Sequence, residues 1–160
     1  MTIRIATEVD WKAIQALNLQ IFEYELQFEP SSNLAFPYTA EAVDYFNTAA
    51  AGRKNHVAFV YEERDEVIGY AIVKLIPPED LAHRVGIRLA QLHTFGVDKA
   101  HRGVGIGKQL IAAARKWALA NGANRLKVVA YAGNVVARSL YRSVGFHEFE
   151  VGYEMEIAKV

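Results

Sequence analysis

The chain has 160 residues, enough to bury one hydrophobic core that is stable without disulfides or bound metals. Hydrophobic residues make up 52% of it, and 18 Lys and Arg balance 18 Asp and Glu, so it is globular and not a typical partner of nucleic acid. The absence of cysteine excludes disulfides, thiolate zinc sites and a Cys nucleophile. No apolar run reaches the length of a membrane span or a secretory leader, and we expect a cytoplasmic protein without a membrane partner.

The first part of the chain predicts a strand and two helices. Thr2–Ala6 alternates as a short strand does. Apolar residues then recur at three- and four-residue spacing along a long helix: Ile14, Leu17, Ile21, Tyr24 and Phe28. After a break at Pro30–Asn33, Thr39 caps a second helix that ends near Gly52.

Acidic residues are expected on the opposite side of the first helix, at Glu23, Glu25 and Glu29. The simplest interpretation is a solvated face. Attraction of a cationic substrate is the alternative.

The rest of the chain predicts alternating strands and helices in a single domain, 1–160, without internal repeats. The predicted strands and helices are, in order, strands His56–Tyr61, Val67–Ile76 and Arg88–Val97, a helix ending at Asn121-Gly122, strand Leu126–Tyr131, helix Gly133–Val144, and strands Phe146–Val151 and Tyr153–Ala158 around Gly152.

A glycine-rich loop joins the central strand to the helix that follows it. Gly103, Gly105 and Gly107 stand at every second position, and backbone N–H groups at a helix N-terminus attract phosphates. The loop is not a nucleoside-triphosphate loop, because Arg102 occupies the position of its first glycine and Gln109 follows Lys108. The dinucleotide fingerprint is also a poor match, since the loop lies past the middle of the chain.

The spacing of Arg102, Gly105 and Gly107 resembles the acetyl-CoA loop of the GNAT acetyltransferase superfamily, and the element order is similar over nearly the whole chain. The resemblance implies an α/β fold with a mixed, mostly antiparallel central sheet, splayed at its middle strands and flanked by four helices. It also implies transfer of the acetyl group of acetyl-CoA to a primary amine by direct attack in a ternary complex. A non-catalytic acyl-CoA-binding or sensing module of the same fold is the alternative, and an ordinary nucleotide-binding protein is a third.

The last predicted helix carries the second motif. Asn134 and Tyr141 are seven residues apart, so two turns return them to nearly the same face, with the small Ala137 between them. By resemblance, Asn134 would bind the pantetheine arm and Tyr141 would protonate the leaving thiolate. A phenol with a reference pKa of about 10 carries its proton at neutral pH. The structural alternative is a core tyrosine.

The central strand supplies the groups next to the acetyl carbonyl. Gly96 permits a bulge, and a regular strand would present Gln91, His93, Phe95 and Val97 on one face. By resemblance, the N–H of Phe95 would polarise the thioester and Val97 would pair with pantetheine. The family's usual Glu is replaced by Gln91 and His93, which leaves His93 as the candidate base or as a structural histidine.

The remaining expectations concern the phosphates, metals and partners. The pyrophosphate would be held by Arg102, Gly103, Gly105, Gly107 and Lys108. The histidines have no metal-ligand spacing, so no metal is expected. The acceptor would be a small-molecule or peptide amine, and its identity, the acyl-chain preference and the oligomeric state stay open. A homodimer is the assembly common in the family.

Overall fold

The computed structural model describes residues 1–157 and contains a five-stranded sheet flanked by four helices. This is the α/β fold class predicted from the sequence. The strands are β1 (Thr2–Ile5), β2 (His56–Glu63), β3 (Glu66–Leu75), β4 (Leu89–Val97) and β5 (Arg125–Lys127). The helices are α1 (Trp11–Glu25), α2 (Ala40–Ala50), α3 (Ile106–Ala120) and α4 (Val135–Ser143).

The strands lie in the order β1-β2-β3-β4-β5, and every neighbouring pair is antiparallel except β4 and β5. The parallel pair requires a crossover, which α3 supplies. No helix within residues 1–157 is long and apolar enough to cross a membrane.

Two hydrophobic layers cover the two faces of the sheet. On one face, α1 and α2 bury Ile14 and Phe46 against Val60, Tyr70 and Ile72. On the other face, α3 packs on the sheet through a different set of residues, Leu92, Ile106, Leu110, Ile111 and Ala114. Because both faces are buried, the central strands are apolar almost without interruption.

The sheet is splayed between β4 and β5, as predicted. These strands pair over only three positions, from Leu89–Arg125 to Gln91–Lys127, although β4 continues to Val97. Beyond Gln91 the two chain segments separate. One edge of β4 therefore faces open space in the middle of the molecule.

The bulge in β4 lies at His93 and not at Gly96, where the sequence permitted it. Thr94 pairs with Ile72 and Leu92 pairs with Val73, so His93 is the extra residue. The bulge shifts the alternation, and Phe95 therefore packs on the α3 side with Leu92 and does not share a face with Gln91. Gly96 instead lets α1 approach, because a Cβ there would lie 2.6 Å from Cδ1 of Ile21.

The C-terminal strand predictions were wrong in part. The strand predicted at Leu126–Tyr131 is only Arg125–Lys127, because pairing with β4 stops at the splay. Residues 146–157 contain no strand, and Ala158, the end of the predicted last strand, lies outside the described residues. The sequence predicted two strands around Gly152, but a strand also needs a neighbour to accept its hydrogen bonds.

Candidate active site

A cavity of about 540 Å³ opens at the splay. One side is formed by β4, by α4 and by residues 128–131, which leave the sheet after β5. The other side is formed by α1, α2 and the segment between them. The lining side chains with chemistry to offer are Glu25, Glu41, Tyr45, His93, Thr94, Tyr131 and Tyr141.

The backbone of β4 directs polar groups into the gap. Asp98 donates its N–H to the Ile68 carbonyl at 2.8 Å. In an antiparallel pair every second residue points its backbone N–H and C=O groups at the neighbouring strand, so those of Thr94 and Gly96 also point towards β3. Phe95 and Val97 therefore point their N–H and C=O groups away from β3. The Val97 carbonyl accepts a hydrogen bond from Nε of Arg102 at 3.0 Å.

The glycine-rich loop turns sharply before α3. Gly103 and Gly105 have φ angles of +83° and +91°, in the left-handed region that other residues rarely adopt. Gly105 is the N-terminal cap of α3, whose first N–H groups have no partner inside the helix. A Cβ on Gly107 would lie 3.2 Å from Leu140, so the missing side chain lets α3 approach α4. Lys108 is exposed on the first turn of α3. The free backbone donors of this loop, with the side chains of Arg102 and Lys108, are groups that could hold a diphosphate.

The two residues of the α4 motif lie in different places: Asn134 caps the helix, and Tyr141 lines the cavity. The buried Asn134 accepts the N–H of Ala137 through Oδ1 at 3.0 Å and so caps the helix. Tyr141 is half-buried in the cavity, with its ring centroid 6.0 Å from that of Phe95. Burial, and next the negative charge of Glu25, raise the pKa of Tyr141, so the phenol remains protonated.

His93 lies on the bulge and contacts α2. Its Nδ1 is 2.7 Å from the hydroxyl oxygen of Tyr45, and the two ring centroids are 5.1 Å apart. His93 keeps contact with solvent, yet partial desolvation by the cavity walls lowers its pKa, and the charges of His56 and Lys74 act in the same direction. The ring is therefore neutral at pH 7 and able to accept a proton.

Glu25 lies on the inner face of α1, which corrects its predicted position on the solvated side. It follows Asn18 by seven residues and Ile21 by four, so all three share the stripe that faces the cavity. Glu23 is exposed, as expected. Burial raises the pKa of Glu25, and no partner within residues 1–157 opposes this effect.

A hydrogen-bonded cluster forms the floor of the cavity. Asn18 donates through Nδ2 to the hydroxyl of Tyr70 at 2.8 Å and to that of Thr94 at 3.2 Å. The hydroxyls of Tyr70 and Thr94 are 2.9 Å apart. The floor is rigid because its polar groups satisfy one another.

The structure brings together three of the residues chosen from the sequence, since Tyr141, His93 and Phe95 line one cavity. The loop residues 102–108 lie next to the same edge of β4. Tyr45 was not among the residues chosen from the sequence, and Glu25 was assigned chiefly to the surface. The stripe of Asn18, Ile21 and Glu25 at helical spacing was the signal that could have identified Glu25.

Comparison with known families gives one match over most of the chain. The model of the Acetyltransferase (GNAT) family matches residues 14–146. Mycothiol acetyltransferase of Amycolatopsis mediterranei is 32% identical over 97 residues, which are 59% of this chain and 32% of that protein. An uncharacterized N-acetyltransferase of Bacillus subtilis is 37% identical over 62 residues, 39% of this chain and 40% of its own length. This chain thus matches well under half the length of either relative.

Solved structures show the same fold at low sequence identity. A mutant of the BH1408 protein from Bacillus halodurans superposes with a TM-score of 0.86 at 23% identity, covering 99% of this chain and all of that one. Aminoglycoside N-acetyltransferase AAC(6')-Iy in complex with CoA gives 0.69 at 17% identity, over 98% and 100% of the two chains. An aminoglycoside acetyltransferase from an uncultured soil metagenomic sample, in complex with sisomicin, has a TM-score of 0.68 at 21% sequence identity. The match covers 99% of this chain and 96% of that one.

Proposed function

Because the chain belongs to the acetyltransferase (GNAT) family, we propose that it transfers the acetyl group of acetyl-CoA to a primary amine by direct attack in a ternary complex. The observation that carries the proposal is the cavity at the splay, where the free edge of β4 meets Tyr141 and His93. A cleft of this kind can hold a thioester and an amine side by side.

The free edge of β4 and the glycine-rich loop would bind acetyl-CoA. The N-terminus of α3, with Gly103, Gly105 and Gly107 before or within its first turn, would receive the pyrophosphate, and Arg102 and Lys108 would add positive charge. Val97 would pair with the pantetheine arm as a neighbouring strand does. Asn134 and Ala137 would line the arm along α4.

The chemical step uses the side chains that meet at the cavity. The amine nitrogen forms a bond to the acetyl carbon, the carbon–sulfur bond breaks, and CoA leaves as a thiol. The N–H of Phe95 would hydrogen-bond the carbonyl oxygen as it gains charge, a contribution of about 3 kcal/mol for one well-aimed donor. The hydroxyl of Tyr141 would supply the proton to sulfur.

His93 would take the proton that the ammonium group of the acceptor must lose before its nitrogen can attack. In the tautomer with hydrogen on Nδ1, the ring donates to Tyr45 and leaves Nε2 free to accept a proton directly or through water. A neutral imidazole is required for this role, and the lowered pKa of His93 supplies it at pH 7.

Replacement of Tyr141 by Phe tests the function. We expect Tyr141→Phe to bind acetyl-CoA with unchanged affinity in calorimetry and to release free thiol about 100-fold more slowly with amines, since the ring is kept and only the acid is lost. Acetyl-CoA binding by the unmodified protein without thiol release, for any amine in a broad panel, would favour a sensing module. No binding would exclude both.

A further inference from the structure

Part of the cavity has aromatic walls. Phe22 of α1 and Phe36 of the segment after it stack with centroids 5.9 Å apart and planes 18° from parallel. Tyr131 closes the opposite side, and its ring stacks on Phe28 at 6.3 Å. Tyr45 completes this wall from α2. Such flat apolar surfaces favour a ring or hydrocarbon body over a hydroxylated one.

Few polar groups in this part of the cavity are free to bind hydroxyl groups. Asn18 and Thr94 hydrogen-bond within the floor, and the hydroxyl of Tyr45 is engaged with His93. A sugar that carries many hydroxyls would lose its water here and regain few hydrogen bonds.

Glu25 is the charged group that reaches inside these walls. It is half-buried on α1, and its carboxylate makes no ion pair or hydrogen bond to another residue in the described part of the chain. Glu41 also lines the cavity, but it is exposed at the first turn of α2, where water screens it. One desolvated carboxylate among aromatic rings suits one ammonium ion, which rings also attract by cation–π contacts.

We propose that the acceptor is a monoamine on an apolar, ring-sized body, with its ammonium group held by Glu25 and its body between Phe22, Phe36 and Tyr131. This inference rests on the proposed function and adds the substrate class. Glu25 then selects the acceptor by holding its nitrogen as an ammonium ion, His93 takes one proton from that nitrogen, the resulting amine attacks the acetyl carbon, and Tyr141 protonates the departing sulfur.

The test measures thiol release at saturating acetyl-CoA with 2-phenylethylamine, putrescine and sisomicin. We expect kcat/KM for 2-phenylethylamine to exceed that for sisomicin by at least about 100-fold. The hydroxyl groups of sisomicin would lose their hydrogen bonds to water in the cavity and find few new partners there. Preference for putrescine or sisomicin over 2-phenylethylamine would overturn the inference while leaving the acetyltransferase function intact.

The role of Glu25 is tested with Glu25→Gln and the matched control Glu23→Gln, an exposed residue on the same helix. We expect KM for 2-phenylethylamine to rise about 10-fold or more in Glu25→Gln, because the charged partner is lost, with a smaller change in kcat and normal acetyl-CoA binding. Glu23→Gln should match the unmodified protein. An unchanged KM in Glu25→Gln would overturn the role of this residue.

The two proposals fail in different ways. If no amine releases thiol although acetyl-CoA binds, the proposed reaction fails, and the inference is then tested by calorimetric binding of 2-phenylethylamine in the presence of CoA. Weaker binding to Glu25→Gln than to Glu23→Gln would support the acceptor site. Equal binding to the two variants would overturn it.

Discussion

The imidazole of His93 acquires its properties from residues distant in sequence. Tyr45 of α2 contacts Nδ1, while the cavity walls lower the pKa of the ring. The pKa of Tyr45 is raised, first by burial and then by the neighbouring Tyr70, so its hydroxyl stays neutral and its oxygen accepts the Nδ1–H of the ring in the proposed tautomer. A histidine held in this way is more completely in its neutral form at pH 7 than a free one.

The pH dependence of kcat tests this role of His93. Since the pKa of His93 is lowered, the midpoint of the acidic limb of kcat should lie below the 6.5 of a free imidazole, and kcat should fall at lower pH as the ring gains a proton. In His93→Gln we expect kcat to fall about 100-fold and this acidic limb to disappear. Stopped-assay thiol release from pH 5 to 9 measures both, and retention of the same limb in the variant would assign it to another group.

The glycine-rich loop and α3 form the proposed anion-binding element. Its backbone donors are available because Gly105 turns the chain at φ +91° immediately before the helix. The helix N-terminus has no acidic residue in its first turn, so its positive end is not neutralised there. The proposed binding of phosphates would thus depend on the backbone shape of the element.

Substitution of Gly105 tests the loop. A Cβ there would meet no atom within 4 Å, but the left-handed φ costs Ala about 1–2 kcal/mol, and the loop should relax away from its binding shape. We expect KM for acetyl-CoA to rise about 10-fold in Gly105→Ala, with kcat nearly unchanged. Gly152→Ala, also at an open position but without a left-handed φ, is the control and should leave both constants unaltered. An unchanged KM in Gly105→Ala would remove this loop from the binding site.

At the scale of the whole molecule, an ion-pair network joins the first strand to the first helix and the sheet. Arg4 donates to both carboxylate oxygens of Asp10, at 2.8 and 3.0 Å, and to Glu62 on β2. Asp10 also accepts the N–H of Thr7 at 2.7 Å. Its side chain is only 6% exposed, so these contacts compensate the burial of its charge.

Acid should weaken the whole fold through this network. The hydrogen bond from Arg4 holds the pKa of Asp10 below its usual 3.8. The ionised Asp10 therefore stabilises the fold fully above about pH 4, and this stabilisation is lost as the pH falls through the lowered pKa of the folded protein. We expect Asp10→Asn to lose about 3 kcal/mol of unfolding free energy at pH 7 and to show a weaker pH dependence below pH 4. Urea titrations at several pH values measure both.

The control for this network is Asp44→Asn. Asp44 is 74% exposed and pairs with Lys54 at 3.7 Å, a surface contact expected to change stability by less than about 0.5 kcal/mol. Equal losses of unfolding free energy for Asp10→Asn and Asp44→Asn would show that the network of Arg4 contributes no more to stability than a surface ion pair.

The sequence by itself determined the fold class, the four helices, the order of the first five strands along the chain, and the family. These features follow from local patterns, since helical spacing, alternation and turn glycines depend on neighbours along the chain. The splay between β4 and β5 was also anticipated through the family resemblance. The candidate residues Tyr141, His93 and Phe95 were chosen from the sequence, and their chemical roles stay predictions.

The tertiary structure alone decided the bulge at His93, the early end of β5 and the inward position of Glu25. A bulge depends on the register with β3, and a strand persists only where a neighbour accepts its hydrogen bonds. Glu25 could not be assigned from charge, because a carboxylate on a helix is usually solvated. The contact of Tyr45 with His93 joins residues 48 positions apart, and only packing of α2 on the sheet creates it.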